Sequence, residues 1–134
     1  MLKAEHIGIA VKSLDNSVPL FQKLLNTPCY KVESVESEMV KTAFFQLAET
    51  KIELLESTDE GGVISRFIDK KGEGVHHIAF AVTNIYLEME RLKAEGFVFI
   101  NEVPKKGADN KLVCFMHPKN TNGILIELCQ DITG

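Results

Sequence analysis

Two runs of apolar residues mark the chain, HIGIAV at 6–11 and HIAFAV at 77–82, and each opens on a histidine. Short, β-branched runs of this kind read as strands. After each run the apolar period lengthens to that of a helix. In KSLDNSVPLFQKLLN the inner positions are Leu14, Val18, Phe21 and Leu25, with Ser13 or Asp15 as the cap, and Pro19 fits only in the first turn. In TNIYLEMERLKAEGF they are Ile85, Met89 and Leu92, with Thr83 placed to cap the start and Gly96 to end the helix. Three strand-like runs follow in each half: YKVESV, KTAFFQL and TKIELLE in the first, FVFI, KLVCFM and GILIELCQ in the second. Gly107 with Asn110, and the segment KNTNG, read as turns.

Each half is therefore βαβββ, and both close on the same tripeptide, IEL at 52–54 and at 126–128. The expected fold is α+β: one domain of two βαβββ modules, about 1–60 and 74–134, with curled sheets forming a cavity. A linker helix is expected in about 61–73, where Gly61, Gly62, Gly72 and Gly74 bracket Val63, Ile64, Phe67 and Ile68. Duplication accounts for this pattern, and a doubly wound parallel sheet does not.

Composition narrows the partners. With 134 residues, 45% apolar and 25% charged, the chain has material for a core and too few apolar runs to span a membrane. A net charge of −4, spread along the chain, leaves no basic stripe for a phosphate backbone, so no nucleic acid and no membrane are expected as partners. Cys29, Cys114 and Cys129 match no metal or redox spacing and read as small hydrophobes in a reducing, cytoplasmic setting. The apolar run at the N-terminus is too short for a secretory signal.

The duplication singles out four side chains. His6 and His77 stand 71 residues apart on the opening strands, and Glu53 and Glu127 stand 74 apart on the closing strands. If the modules pack about a pseudo-twofold axis, two imidazoles and two carboxylates would share one cavity and make a divalent-metal site. No thiolate joins the set, which argues against a closed structural zinc. Both glutamates sit among apolar neighbours, where an ionised carboxylate is costly unless paired or metal-bound. Strand alternation puts Lys51, Glu53 and Leu55 on one face and Glu56 on the other, where it reads as a solvated charge; it also turns His76 away from His77.

The opening HIGIAV, GEGVHHIAF at 72–80 and FMHPKNTNGILIEL at 115–128, with TKIELLE at 50–56 in support, carry a resemblance over essentially the whole chain. It is to the vicinal-oxygen-chelate superfamily, which includes glyoxalase I, extradiol dioxygenases and bleomycin resistance proteins, and within it to the methylmalonyl-CoA epimerases. The resemblance implies metal ligands at His6, Glu53, His77 and Glu127, and a divalent ion, Co2+ favoured with Mn2+, Ni2+, Mg2+ or Zn2+ as alternatives. It also implies an acyl-CoA substrate and a homodimer. The reaction implied is epimerisation at C2 of methylmalonyl-CoA, with Glu127 as one catalytic acid/base. One position departs from the pattern: where some relatives carry a second catalytic glutamate, this chain has Thr42, with Glu38 and Gln46 nearby. Lys111 replaces no residue of known role, and Asn110 stands where glycine is usual. Lys119, with Lys105 or Lys106, is a candidate for CoA phosphates, although His117-Pro118-Lys119 is more simply a strand-end turn with a solvated lysine. The alternatives are lactoylglutathione lyase (glyoxalase I), which shares the ligand set, and a non-catalytic small-molecule-binding protein of the same fold. The HPK turn favours the epimerase over the lyase.

Overall fold

The computed structural model describes residues 1–132, so the last two residues of the expected second module lie outside the described residues. In chain order the elements are β1 Lys3–Ala10, α1 Leu14–Leu25, β2 Lys31–Val35, β3 Val40–Leu47, β4 Thr50–Ser57, α2 Val63–Lys71, β5 Gly74–Ala81, α3 Ile85–Ala94, β6 Lys105–Gly107, β7 Lys111–Met116 and β8 Ile126–Asp131. The fold is α+β, with βαβββ occurring twice and α2 between the copies, where the glycine-bracketed apolar segment predicts a helix. Two compact units divide the chain: His6–His76 is the first, and Met1–Glu5 with the chain from His77 onward is the second.

In the first unit the strands lie in the order β2-β3-β4-β1, with β1 parallel to β4 and β3 antiparallel to both of its neighbours. Paired residues project to the same face. One face carries Ile9, Ala43, Phe45, Ile52 and Leu54 and is closed by Leu14, Val18, Phe21 and Leu25 of α1, the stripe the helical period predicts. Phe45 and Leu54 are fully buried there, each contributing roughly 1.5–3 kcal/mol of transfer free energy. On the other face, Ile64, Phe67 and Ile68 of α2 cover only one end, over Ala10, Val40 and Leu55.

Helix α1 starts as the sequence predicts and continues against it. Ser13 is the N-cap, its hydroxyl accepting from the Asn16 N–H at 3.3 Å. Pro19, expected in the first turn, falls in the second. It has no N–H to offer the Asp15 carbonyl, but both residues are exposed, so the orphaned acceptor faces solvent and the helix tolerates it.

In the second unit the order is β5-β8-β7-β6, with β5 parallel to β8. Helix α3 lays Ile85, Met89 and Leu92 against Val82, Cys114, Met116 and Leu128 on one face of these strands. Its cap is Asn84 and not Thr83, because the helix begins one residue later than expected; the Asn84 Oδ1 accepts from the N–H groups of Tyr86 and Leu87 at 3.1 and 3.2 Å. The end is at Gly96, as expected. The Gly96 N–H donates to the Lys93 carbonyl, and the Gly96 φ of 99° turns the chain so that the Phe97 N–H reaches that of Leu92, both at 3.0 Å, which adds donors to carbonyls of the last turn.

The expected strand FVFI is not one. Phe99 makes an isolated bridge to Met116, and the strand that pairs with β7 over its first half is Lys105–Gly107. Phe97 and Phe99 are drawn into the α3 core instead. Between the two pieces the Asn101 Oδ1 takes the Phe115 N–H at 3.0 Å, and a side chain thus replaces the backbone of the partner strand. Gly107–Asn110 and Lys119–Gly123 turn as expected, with Asp109, Asn110 and Asn122 in the left-handed region that Asn and Asp tolerate. Replacing Gly96 by alanine is expected to cost about 1 kcal/mol, read as a lower urea midpoint with an unchanged denaturant slope.

Candidate functional site

The first unit builds one half of the predicted ligand set. Parallel pairing sets Gly8 beside Glu53, which leaves His6, two residues earlier, on the same face one step along. The His6 Nδ1 lies 3.2 Å from the Glu53 Oε2, and the two side chains are only 6% and 7% exposed. The second unit repeats the construction. Ala79 stands beside Glu127, and His77, two residues earlier, places its Nε2 3.2 Å from the Glu127 Oε1, each side chain 7% exposed. Each glutamate also has a phenylalanine as its antiparallel partner, Phe44 for Glu53 and Phe115 for Glu127. The Phe115 ring meets the His77 imidazole edge-on, with centroids 5.8 Å apart.

The chemistry of each pair is constrained by its burial. An ionised carboxylate so enclosed requires a partner. A carboxylate oxygen and an imidazole nitrogen at this separation are satisfied by a shared proton or by a cation that both ligate. An imidazole nitrogen beside a carboxylate oxygen, with no thiolate in the pair, suits a borderline-to-hard divalent ion of the Co, Mn, Ni, Mg or Zn kind.

Other residues singled out from the sequence fall into clear places. His76 packs edge-on against Phe67 of α2 at 5.0 Å, and its pKa is pulled down to about 4, by burial first and by the Lys71 ammonium second. It is a neutral packing residue at physiological pH. Glu56, expected as a solvated charge, is a correction: it is half-buried, and its Oε1 accepts the Leu14 N–H at 2.6 Å. An acidic side chain from β4 thus stabilises the N-terminus of α1. Thr42 is 1% exposed and lies on the Glu53 face with Phe44. Gln46 shares that face but is exposed and donates to the Ala48 carbonyl at 2.6 Å, while Glu38 lies beyond the end of β2 in a single 3-10 turn. The exposed His117 accepts from the Lys119 N–H at 3.1 Å and so caps its own turn, leaving Lys119, Lys105 and Lys106 exposed. Cys114 and Cys129 are buried, and burial pushes the Cys114 thiol up to about 12, with the Glu127 charge adding to the effect. No helix among the described residues is long and apolar enough to cross a membrane.

Comparison with known proteins agrees with the fold. The sequence pattern of the Glyoxalase/Bleomycin resistance protein/Dioxygenase superfamily matches residues 5–115. An ethylmalonyl-CoA/methylmalonyl-CoA epimerase of Cereibacter sphaeroides is 36% identical over 96% of this chain and 97% of its own. The crystal structure of a hypothetical protein from Bacillus halodurans is similar with a TM-score of 0.95 at 39% identity, covering 98% of this chain and 96% of that one. Streptomyces coelicolor methylmalonyl-CoA epimerase in complex with 2-nitronate-propionyl-CoA is similar with a TM-score of 0.94 at 27% identity, covering 99% and 96%.

One group escaped the sequence reading. In the second unit Lys111 is 9% exposed and Glu5 4% exposed; the Lys111 Nζ lies 3.8 Å from the Glu5 Oε2 and also bonds the Asp131 carboxylate. The only signal was a lysine and an acid at positions whose apolar neighbours make strands. Removing the cation from a buried carboxylate costs far more than removing an exposed partner. Lys111→Ala is expected to lose about 3 kcal/mol and Asp131→Ala, whose side chain is 77% exposed, less than about 1 kcal/mol, both from chemical unfolding.

Proposed function

Because the chain belongs to the Glyoxalase/Bleomycin resistance protein/Dioxygenase superfamily, we propose that it is an epimerase interconverting (2R)- and (2S)-methylmalonyl-CoA by proton transfer at C2. The observation that carries this reading is the histidine–glutamate pair built twice in one strand register. Its context supports it: relatives that match nearly the full chain are named as epimerases of methylmalonyl-CoA.

His6, Glu53, His77 and Glu127 are assigned to one divalent ion; imidazoles and carboxylates accept Co2+, Mn2+, Ni2+, Mg2+ or Zn2+, and the resemblance to the epimerases favours Co2+. When bound, such an ion supplies Lewis acidity, which lowers the cost of negative charge on a thioester oxygen.

The chain's own residues do the rest. The C2 hydrogen lies between a thioester carbonyl and a carboxylate, and Glu127 is assigned as the base that takes it. The C–H electron pair becomes the C1–C2 π bond, and the carbonyl π pair moves onto the thioester oxygen. A proton from solvent then adds to the opposite face of C2: the oxygen lone pair re-forms the carbonyl π bond, the C1–C2 π pair becomes the new C–H bond, and Glu127 releases its proton to solvent, which inverts the centre with no net change in protons. Thr42 has no group able to take a proton at neutral pH, so it is not assigned that second role. Phe44 and Phe115 each stand across from a glutamate, and a hydrocarbon neighbour of this kind lowers the local polarity and strengthens the charge interactions of that glutamate.

Incubation with (2R)- or (2S)-methylmalonyl-CoA in deuterated water, with cobalt, is expected to give inversion and deuterium at C2. Treatment with EDTA is expected to reduce the rate at least 100-fold, with recovery on adding cobalt. Turnover of the methylglyoxal–glutathione hemithioacetal in place of this exchange would establish the lyase, and failure to turn over either substrate would favour a binding protein. Glu127→Gln is expected to lower kcat by about 10²–10⁴ with an unchanged circular dichroism spectrum; a variant with normal metal content and full activity overturns the assignment of the base.

A further inference from the structure

The two histidine–glutamate pairs are alike, and so are the two carbonyl groups that flank C2 of a malonyl thioester. Something must tell the carboxylate end from the thioester end. The residue beside each histidine differs between the units. In the first, Lys51 is the direct partner of His6 in the β1–β4 pairing, and it stands two residues before Glu53 on the same face. In the second, Ile126 partners Ile78, which sets Leu125 beside His77. An ammonium and an isobutyl group therefore occupy equivalent places in the two halves.

We propose that Lys51 is the specificity residue that recognises the free carboxylate of the acyl group, so that a malonyl-type thioester binds in one orientation and a monocarboxylic acyl-CoA binds weakly. This inference rests on the reading of the protein as an acyl-CoA epimerase. The position suits the role. Adjacent strands lie about 4.8 Å apart and alternate residues about 6.6 Å along a strand, so the Lys51 Cα is close to both His6 and Glu53. CoA phosphates lie at the far end of the pantetheine arm, many bonds from C2, which makes the acyl carboxylate the anion within reach. Lys51 is half-buried, so part of its stem is covered while the side chain stays long enough to bring an ammonium to a bound anion. Opposite it on β3, the Gln46 amide is turned to the Ala48 carbonyl. A charge-assisted hydrogen bond in such a setting is worth a factor of about 10–100 in affinity.

The test is calorimetric titration of the metal-loaded protein with methylmalonyl-CoA and with propionyl-CoA, which lacks the carboxylate, for the wild type, Lys51→Met, Lys51→Gln and Lys51→Arg. The expected result is a preference for methylmalonyl-CoA that falls about 10-fold or more in Lys51→Met and Lys51→Gln and returns largely in Lys51→Arg, while propionyl-CoA affinity stays within about twofold. The same titration on metal-stripped protein is expected to show the same loss. An unchanged preference in a folded Lys51→Gln protein overturns the proposal, and equal weakening of both ligands overturns it in favour of contact with the CoA moiety. If the wild type neither distinguishes the two thioesters nor exchanges deuterium at C2, the epimerase reading itself falls; if it does both and Lys51→Met retains the preference, only the role of Lys51 falls.

Discussion

A carboxylate withdrawn from water must find a partner, and the functional half of each unit is arranged around that requirement. Glu53 and Glu127 are among the most enclosed charged groups of the chain, and each has an imidazole nitrogen 3.2 Å away. The partner comes from a parallel strand, so its height is set by register and not by a turn. A shift of one residue between β1 and β4, or between β5 and β8, would send the glutamate to the helix-covered face, where only apolar side chains wait. The cores against α1 and α3 therefore hold the site in register while touching none of its donors.

The repetition was legible because function and packing share a period. Strand, helix and three strands appear in both halves of the sequence, and the apolar stripes of α1 and α3 are the ones the helical spacing marks. The histidine–glutamate pairs follow from the same count, since equal spacing in two copies of one module produces equal geometry. What escaped the sequence depends on contacts between elements distant along the chain. Glu56 reads as surface charge until the helix start it stabilises is seen 42 residues away. Nothing in the sequence links Glu5 to Lys111, 106 positions on, and only the fold brings the Lys111 Nζ within 3.8 Å of the Glu5 Oε2. FVFI has every local property of a strand, and its two phenylalanines are claimed by the α3 core instead.

Identical halves would make an indifferent receptor. Most of the repeated features are symmetric between the units: the pair, its register and the phenylalanine opposite each glutamate. Differences between the copies consequently carry more information than the likenesses do. In the first unit α2 closes one end of the glutamate-bearing face with hydrocarbon. The corresponding end of the second carries the Lys111–Asp131 ion pair, held from β1 by Glu5.

The broken partner of β7 has a consequence of another kind. Regular, unpaired strand margins are templates on which a foreign chain can build hydrogen bonds, the first step towards fibrous association. In the second unit that margin is three residues long, follows Pro104, and carries the exposed Lys105 and Lys106. Its continuation is the single bridge at Phe99, separated from it by a segment in which a side chain of Asn101 stands in for backbone. No uninterrupted ladder is offered there to a second molecule, so the irregularity that hid this strand from sequence also makes this margin a poor template for a foreign chain.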